Sequence, residues 1–290
     1  MRKTLIAVAA LLCAGTAAAQ DMGKLLATGG VSQVEGAGGG GLVPWALISG
    51  YGTRDSWGAN VHWTTVATQD YTLDTAGVTV GIADRVEVSL ARQQFRGSLA
   101  PLDKLKLQQD ILGLKWRVAG DAVVDQDRLL PQIAVGAQFK RTAAIGGLGA
   151  LGVTNVKQLG AKDDSGIDLY VAATKILLEQ SLLLNGTLRA TSANQFGLLG
   201  FGGDQQRGRR LRAEVSAAYL LDRQWVAGVE WRAKPANLGV DPEKNAWDGF
   251  VAWFPSKQLS LTAAYVNLGT ITVFNPKTQK GWYLSLQAGF

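Results

Sequence analysis

The only histidine of this 290-residue chain, His62, is the first residue whose type could support chemistry. It shares one face of an alternating segment with Asn60 and Thr64. A histidine acts as a catalytic base only with a nucleophile and an orienting acid within reach, and its own segment supplies no such pair. We therefore expect a structural or solvating role for His62 and predict no catalytic residue.

No metal or cofactor site is predicted either. The chain has no repeated set of His or Cys residues of the kind that binds zinc. Aspartates are grouped at 163–168 and at 121–127, but neither group has the spacing of a calcium loop. The glycines at 36–41 do not follow a strand and open a helix, as a phosphate-binding loop would.

The elements that would position these residues show a period of two. In 281–290 the even-numbered residues, from Trp282 to Phe290, are apolar, whereas the odd-numbered ones are glycine, tyrosine, serine or glutamine. A final strand that ends on phenylalanine resembles the assembly signal of bacterial outer-membrane barrels, which implies the barrel assembly machinery as a partner. Similar alternation predicts strands at 57–64, 85–90, 112–118, 132–140, 211–219, 225–232 and 259–265.

Short and long connections alternate between these segments. Barrels of the outer membrane have short periplasmic turns and longer extracellular loops. The link at 119–130 is an exception, because it should be a turn and has about twelve residues. Counting from a first strand at 57–66 gives 12 strands, within two, with both termini in the periplasm. The short links lie near 83–84, 178–180, 221–223 and 255–257, and the long ones at 97–106, 142–165, 193–208, 234–245 and 269–280.

Residues 1–19 are typical of a cleaved signal peptide. Arg2 and Lys3 precede an apolar run, and three alanines precede Gln20. Cleavage would remove the only cysteine, so we expect no disulfide. The rest of the chain is mildly basic with scattered charges, which gives no reason to expect a nucleic acid partner. It contains no run of 18 apolar residues that would predict a membrane-spanning helix.

Alternation alone fits either a soluble β-sandwich or a membrane barrel. The signal peptide, the terminal Phe290, the tryptophans at strand ends and the rhythm of the links favour the barrel. An open sheet edge in hydrocarbon would leave backbone groups unpaired, so the sheet must close. The predicted fold is all-β: a closed antiparallel transmembrane β-barrel of about 12 strands over 57–290, in the bacterial outer membrane.

Residues 20–56 do not follow the barrel pattern. They are rich in glycine, which permits tight or left-handed backbone, and we expect a plug inside the lumen or a periplasmic arm. The run from Lys24 through Gly29-Gly30, 36–41 and 50–55 resembles the opening of an uncharacterised proteobacterial family, the domain of unknown function 3034. The resemblance extends over the full mature length. It implies an outer-membrane barrel and assigns no activity.

Charged residues of both signs are predicted to line the lumen. Basic residues outnumber acidic ones, which in a water-filled lumen would favour anions weakly. Alternatively, charges on adjacent strands pair and fill the interior. The basic residues are Arg85, Lys115, Arg117, Lys140, Arg189, Arg210, Arg212 and Arg232, and the acidic ones are Glu87, Asp168, Glu214, Glu230 and Asp248.

The tryptophans of the strands are interpreted as anchors at the membrane interface rather than as a ligand site. They are Trp57, Trp63, Trp116, Trp225, Trp231, Trp247, Trp253 and Trp282. A cluster of arginines lies at the outer end of a predicted strand and binds lipopolysaccharide phosphates or attracts anions under one interpretation. Under the other, its side chains only extend from a polar rim. The cluster consists of Arg207, Arg209, Arg210 and Arg212.

Three functions remain open at this point. The first is a passive or gated channel for small solutes with a weak anion preference, and the second is a non-conducting structural or binding barrel of the envelope. The third, a lipid-modifying enzyme, is disfavoured because barrel enzymes that act on lipid carry Ser and His on the lipid-facing side, whereas His62 would face the lumen. We therefore predict a protein that is not an enzyme. The sequence does not predict an oligomeric state.

Overall fold

The computed structural model describes residues 24–98, 103–143, 145–149, 152–271 and 275–290. The predicted signal peptide, 1–19, lies outside these residues. None of the helices in the described chain is long and apolar enough to cross a membrane. The strands are β1 (Val31–Ser32), β2 (Gly38–Gly39), β3 (Trp57–Thr68), β4 (Tyr71–Ile82), β5 (Val86–Gly97), β6 (Lys106–Ala119), β7 (Gln132–Thr142), β8 (Ser165–Leu177), β9 (Leu182–Thr191), β10 (Arg210–Leu220), β11 (Trp225–Arg232), β12 (Ala246–Ser256), β13 (Leu259–Asn267) and β14 (Lys280–Gly289).

Strands β3 to β14 form one closed antiparallel barrel in sequence order. β14 closes it against β3, with Leu286 opposite Trp63. The backbone of Phe290 continues this pairing, because Ala59 N donates to Phe290 O at 2.7 Å and Phe290 N donates to Ala59 O at 2.9 Å. The predicted fold class and the count of 12 strands are confirmed. Closure satisfies the backbone groups that an open edge would leave unpaired.

The two faces of the wall differ in polarity along each strand. In β6, Leu112, Leu114 and Trp116 are exposed, whereas Lys115 between the last two is buried. All eight tryptophans of the strands are exposed on the outward face, and seven of them lie within the first or last four residues of a strand. Trp63 is the exception, because it lies in the middle of β3.

The links follow the expected rhythm with two exceptions. At the end where β3 begins and β14 finishes, which we call the periplasmic end, four links are short and the link 120–131 is long. At the opposite, extracellular end the first link, 69–70, has only two residues. The link 120–131 is long because it folds under the barrel: Lys175 Nζ donates to Asp121 O and Asp125 O, and Ala122 is fully buried.

Candidate functional site

The lumen is occupied by the chain itself. Residues 27–50 of the N-terminal segment, which we define as 24–56, are all buried. Side chains from β4 to β11 and from β14 bond to this segment, so it contacts most of the circumference of the wall. These wall residues include Thr79, Glu87, Lys115, Gln132, Thr174, Thr187, Ser216, Glu230 and Gln287.

Glycines allow the backbone of the segment to approach carboxylates of the wall. β1 and β2 pair as a small hairpin, in which Gly36 adopts a φ of 91° that favours glycine. Gly38 N donates to Glu87 Oε1 at 2.9 Å. A Cβ at Gly40 would overlap the carboxylate of Glu230. The glycine run thus brings a backbone close to acidic side chains, rather than to a phosphate.

The carboxylate of Glu35 is the centre of a buried ionic cluster between the segment and the wall. Arg232 Nη1 donates to Glu35 Oε2 at 2.7 Å, and Lys140 Nζ bonds to Glu35 and, at 2.6 Å, to Asp168. Removing one partner from such a network costs about 3–5 kcal/mol, because charges are left buried and unpaired. This Glu35 cluster comprises Glu35, Lys140, Asp168, Arg189, Glu214 and Arg232, and every side chain in it is 4% exposed or less.

A second element enters the lumen from the extracellular end. Residues 193–203 of the link between β9 and β10 are all buried, and we call 192–203 the inner loop. At its tip Gln195 and Phe196 adopt φ values of 46° and 60°, which residues other than glycine rarely adopt. Phe196 O accepts hydrogen bonds from Lys140 and Gln109, and its ring lies 4.3 Å from the guanidinium of Arg232. Two members of the Glu35 cluster therefore also hold the inner loop.

Polar residues of the link 233–245 hold the tip of the inner loop. Gln195 Nε2 donates to Asp241 Oδ2 at 2.8 Å, its backbone N donates to Glu243 Oε2 at 3.0 Å, and Lys234 Nζ donates to Gln195 Oε1 at 2.7 Å. Burial raises the pKa of Asp241 to about 6 and that of Glu243 to about 7. We call Gln195, Lys234, Asp241 and Glu243 the loop latch.

Most of the predicted lumen residues are buried in the wall. They are Glu87, Lys115, Lys140, Asp168, Arg189, Glu214, Glu230, Arg232 and Asp248. Arg117 and Arg212 are half-buried near opposite ends of the barrel, whereas Arg85 and Arg210 are exposed. Arg85 and Arg210 differ from the expectation because Arg85 lies in the turn before β5 and Arg210 begins β10 at the rim. At the ends of the strands both faces of the wall meet water, so alternation does not show whether a side chain is buried.

This placement changes the predicted balance of charge. The buried wall residues of the predicted set comprise four basic and five acidic side chains, so the excess of basic residues came from the ends of the barrel. Arg207, Arg209 and Arg210 are exposed at the extracellular rim. His62 is 5% exposed on the inner face, and neither ring nitrogen has a hydrogen-bond partner among the described residues.

Sequence analysis predicted the segment as a plug or a periplasmic arm, but it missed the role of Glu35 and the inner loop. Glu35 is a single acidic residue in a glycine-rich run with no periodicity, so nothing in the sequence marked it as an ionic centre. The inner loop carried a usable signal: Phe196, Leu198, Leu199 and Phe201 are large apolar residues in a link that should face water. In the described part of the chain, no three His, Cys, Asp or Glu side chains come together as a metal site.

Comparison with known proteins supports the architecture. The NanC porin is similar, with 7% sequence identity over 79% of this chain and 98% of that chain and a TM-score of 0.50. The KdgM porin (7% identity, 80% and 99%, 0.49) and outer membrane phospholipase A from Escherichia coli (8%, 83% and 94%, 0.44) are also similar. At these identities the likeness concerns the fold alone.

Sequence comparison gives a family without a described activity. No curated protein matches the chain. The model of a family described as "Protein of unknown function (DUF3034)" matches residues 28–287, which include almost the whole barrel and most of the N-terminal segment. The chain therefore belongs to the DUF3034 family.

Proposed function

We propose that the protein is a gated outer-membrane channel for small solutes, closed in this structure by the N-terminal segment and the inner loop. The observation that carries the proposal is how the lumen is filled. Buried cations and carboxylates of the wall bond to a segment that continues into the wall only at β3. Such a segment can leave the lumen without breaking any pairing between strands, and its departure leaves a charged, hydratable path.

Weak anion preference of the open state is part of the proposal. When the N-terminal segment leaves, Glu35 leaves with it. Among the described residues, the ion-pair partners left to Lys140, Arg189 and Arg232 are then Asp168 and Glu214. A ring with excess positive charge favours anions. The reversal potential in a salt gradient measures this preference, and clear cation selectivity would contradict it.

Conductance in planar bilayers tests the gate. The full mature chain should show rare openings, and a variant lacking 20–56 should open far more often, because of the two elements that fill the lumen the inner loop alone then remains. Heat-modifiable gel mobility shows that each barrel is folded. A folded deletion variant without conductance would contradict the proposal.

A reversible cross-link supplies a matched test in the intact chain. Ser32 Oγ and Gln287 Oε1 are 2.9 Å apart, so Ser32→Cys with Gln287→Cys places two thiols on facing side chains. Because cysteine is shorter than glutamine, the two thiols are joined by a short bifunctional thiol reagent that a reductant cleaves. Because Cys13 is the only native cysteine and lies in the predicted signal peptide, no other thiol competes. The bridged protein should stay closed, and reductive cleavage of the bridge should restore the openings of the unmodified chain. An equal open probability of the cross-linked and the reduced protein would rule out movement of the segment.

A second candidate is a non-conducting barrel of the envelope. It is favoured by the dense packing of the apolar side of the segment: beside Trp45, Val31 and Phe250 the remaining cavity is about 20 Å³, roughly the space of one water molecule. The same conductance experiment separates the two candidates.

We further propose that the protein is not an enzyme. The support is the position of His62 on the inner face, away from lipid. Labelled phospholipid and lipid A, incubated with the refolded protein, test this point. The proposed partners are outer-membrane lipid, lipopolysaccharide at the arginines of the rim, and the barrel assembly machinery at the strand that carries Trp282 and Phe290. Both aromatic rings are exposed on the outward face.

A further inference from the structure

Glu230 and Asp248 form an acidic pair inside the barrel. They lie opposite each other on β11 and β12 and are 2% and 1% exposed. Among the described residues, no Lys, Arg or His side chain forms an ion pair within 4.0 Å of either carboxylate. Two neighbouring carboxylates without a cation are costly to bury, because each loses its hydration and repels the other.

Asp248 has unused bonding capacity. Both of its carboxylate oxygens are buried and have no hydrogen-bond partner in the described structure. Glu230, in contrast, accepts a hydrogen bond from Leu42 N at 2.6 Å and one from Ser216 Oγ at 2.7 Å. The hydroxyl of Tyr283 is also buried; it lies near the side chains of Ser285 and Thr64 but forms no hydrogen bond of good geometry with the described residues. Buried polar groups are almost always hydrogen-bonded, so the unbonded carboxylate oxygens of Asp248 call for a partner.

Oxygens of the acidic pair and the ring of Tyr283 face one small volume beside Gly41. A Cβ at Gly41 would lie 3.2 Å from Asp248 Oδ2, 3.6 Å from Glu230 Oε2 and 3.5 Å from Tyr283 Cζ, which carries the hydroxyl. Because Gly41 has no side chain, this volume stays open between the wall and the N-terminal segment. Any larger residue at this position would occupy it.

We propose that this volume is a binding site for a divalent cation of the calcium type. Two carboxylates balance a double positive charge, and the phenol oxygen supplies a third oxygen ligand. Ca²⁺ accepts oxygen ligands at about 2.3–2.6 Å in flexible geometry, whereas Mg²⁺ requires a near-ideal octahedron. The ion would lie beyond the Cβ position, towards the carboxylates, and small rotations of Asp248 and Glu230 complete the approach.

The site joins the wall to the N-terminal segment. Glu230 contributes one oxygen to the proposed ion and at the same time accepts the hydrogen bond from Leu42 N of the segment. A bound ion therefore stabilises the docked segment. The existence of the site does not depend on conductance, so binding is measured directly and can succeed or fail separately from the channel proposal.

Terbium luminescence tests the site on the full mature chain, refolded in detergent micelles and freed of metal with a chelator. Tb³⁺ replaces Ca²⁺ at oxygen sites and emits when a nearby aromatic ring is excited. Tyr283 lies beside the site, and Trp45 Nε1 bonds at 2.9 Å to Ser216, which in turn bonds to Glu230. We expect one sensitised Tb³⁺ per chain, displaced by Ca²⁺, and a Ca²⁺-dependent rise in the temperature at which trypsin begins to cleave the segment.

Two substitutions and two controls decide the outcome. Asp248→Asn should weaken Ca²⁺ competition at least about tenfold, since ligand charge sets affinity. Gly41→Ala should remove the sensitised signal by filling the volume, and it remains informative if Asp248→Asn does not fold. Gly186→Ala, where a Cβ meets nothing within 4 Å, and Glu179→Gln in an exposed turn should leave binding unchanged. Absence of a sensitised signal, or a signal that survives both substitutions, would show that the pair holds only a proton and would overturn the proposal.

Discussion

The N-terminal segment and the inner loop both fill the lumen, but they are held in different ways. The segment bonds mainly through backbone groups, with glycines that allow close approach and with Glu35 as its one buried charge. The inner loop is fixed at both ends by β9 and β10 and is held by side chains around Gln195 and Phe196. The segment can therefore leave the lumen completely, whereas the loop can only swing away from it.

Backbone strain separates the two elements further. In the segment the left-handed position at Gly36 is taken by glycine at little cost, and Ala27 (φ 66°) is the non-glycine residue with positive φ, whereas in the inner loop two consecutive residues, Gln195 and Phe196, hold such conformations at about 1–2 kcal/mol each. The loop latch and Arg232 offset that cost. The inner loop thus concentrates this strain in two neighbouring residues at its tip, and it should respond to smaller perturbations of its contacts.

The largest effect is expected from Glu35→Gln. The substitution leaves Lys140, Arg189 and Arg232 with one carboxylate fewer, and docking of the segment should weaken by about 3–5 kcal/mol. Open probability in planar bilayers and the rate of tryptic cleavage after Lys24 should both rise. Glu179→Gln, in an exposed turn, serves as the control. If Glu35→Gln behaves like this control, the Glu35 cluster does not hold the segment.

A somewhat smaller effect is expected from Phe196→Ala. It removes a buried ring that lies against Arg232, at a cost of about 3 kcal/mol to the closed loop. Openings should become more frequent and tryptic cleavage after Lys24 somewhat faster, because Lys140 and Arg232, which contact Phe196, also hold the segment through Glu35. Combining this substitution with Glu35→Gln measures the coupling through Lys140 and Arg232. If the effects of the two substitutions on the free energy of opening are strictly additive, the segment and the inner loop close the lumen independently.

Gly40→Ala perturbs the contact between the segment and the wall and leaves the inner loop untouched. An added methyl group would overlap the carboxylate of Glu230, and such overpacking costs about 1–3 kcal/mol. Tryptic cleavage after Lys24 should accelerate modestly. Gly186→Ala, in open space on the wall, provides the comparison. No difference between the two variants would show that the glycine run is not required for docking.

The smallest effect is a dependence on pH that should reside in the inner loop. Burial raises the pKa of Asp241 to about 6 and of Glu243 to about 7, above the ordinary values of 3.8 and 4.5. Lys234 belongs to the same latch, and the charge of Arg232 acts on it. Burial lowers the pKa of Lys234. A loop swung outward would hydrate both carboxyl groups and restore their ordinary pKa, so the closed loop binds more protons. Closure is therefore favoured below about pH 4.5 and weakens as the pH rises towards 7.

Bilayer recordings at different pH test this sign. Conductance should fall when the pH is lowered from about 7.5 to about 5. Asp241→Asn combined with Glu243→Gln should flatten the response, whereas Glu179→Gln should not. If the conductance rises on acidification, the groups that control it are not Asp241 and Glu243.

The barrel was predictable because its information is local. Alternation along β6 and β14 assigns each side chain to a face by the geometry of a single strand, and closure follows from the cost of unpaired backbone in lipid. Prediction failed at strand ends, where Arg85 and Arg210 keep the parity of the lumen but lie in water. It also failed to show that the link after β9 folds inward, because a loop has no period from which its direction can be derived.

By itself, the sequence determined a closed membrane barrel of 12 strands, an apolar outer face with tryptophans near the strand ends, and an inner face with charges of both signs. Only the tertiary structure decided what those charges contact. Glu35 meets Arg232 across 197 positions of the chain, and Leu42 meets Glu230 across 188. The period of a strand fixes the direction of a side chain, but the partner of a buried charge depends on which distant segment shares the lumen with it.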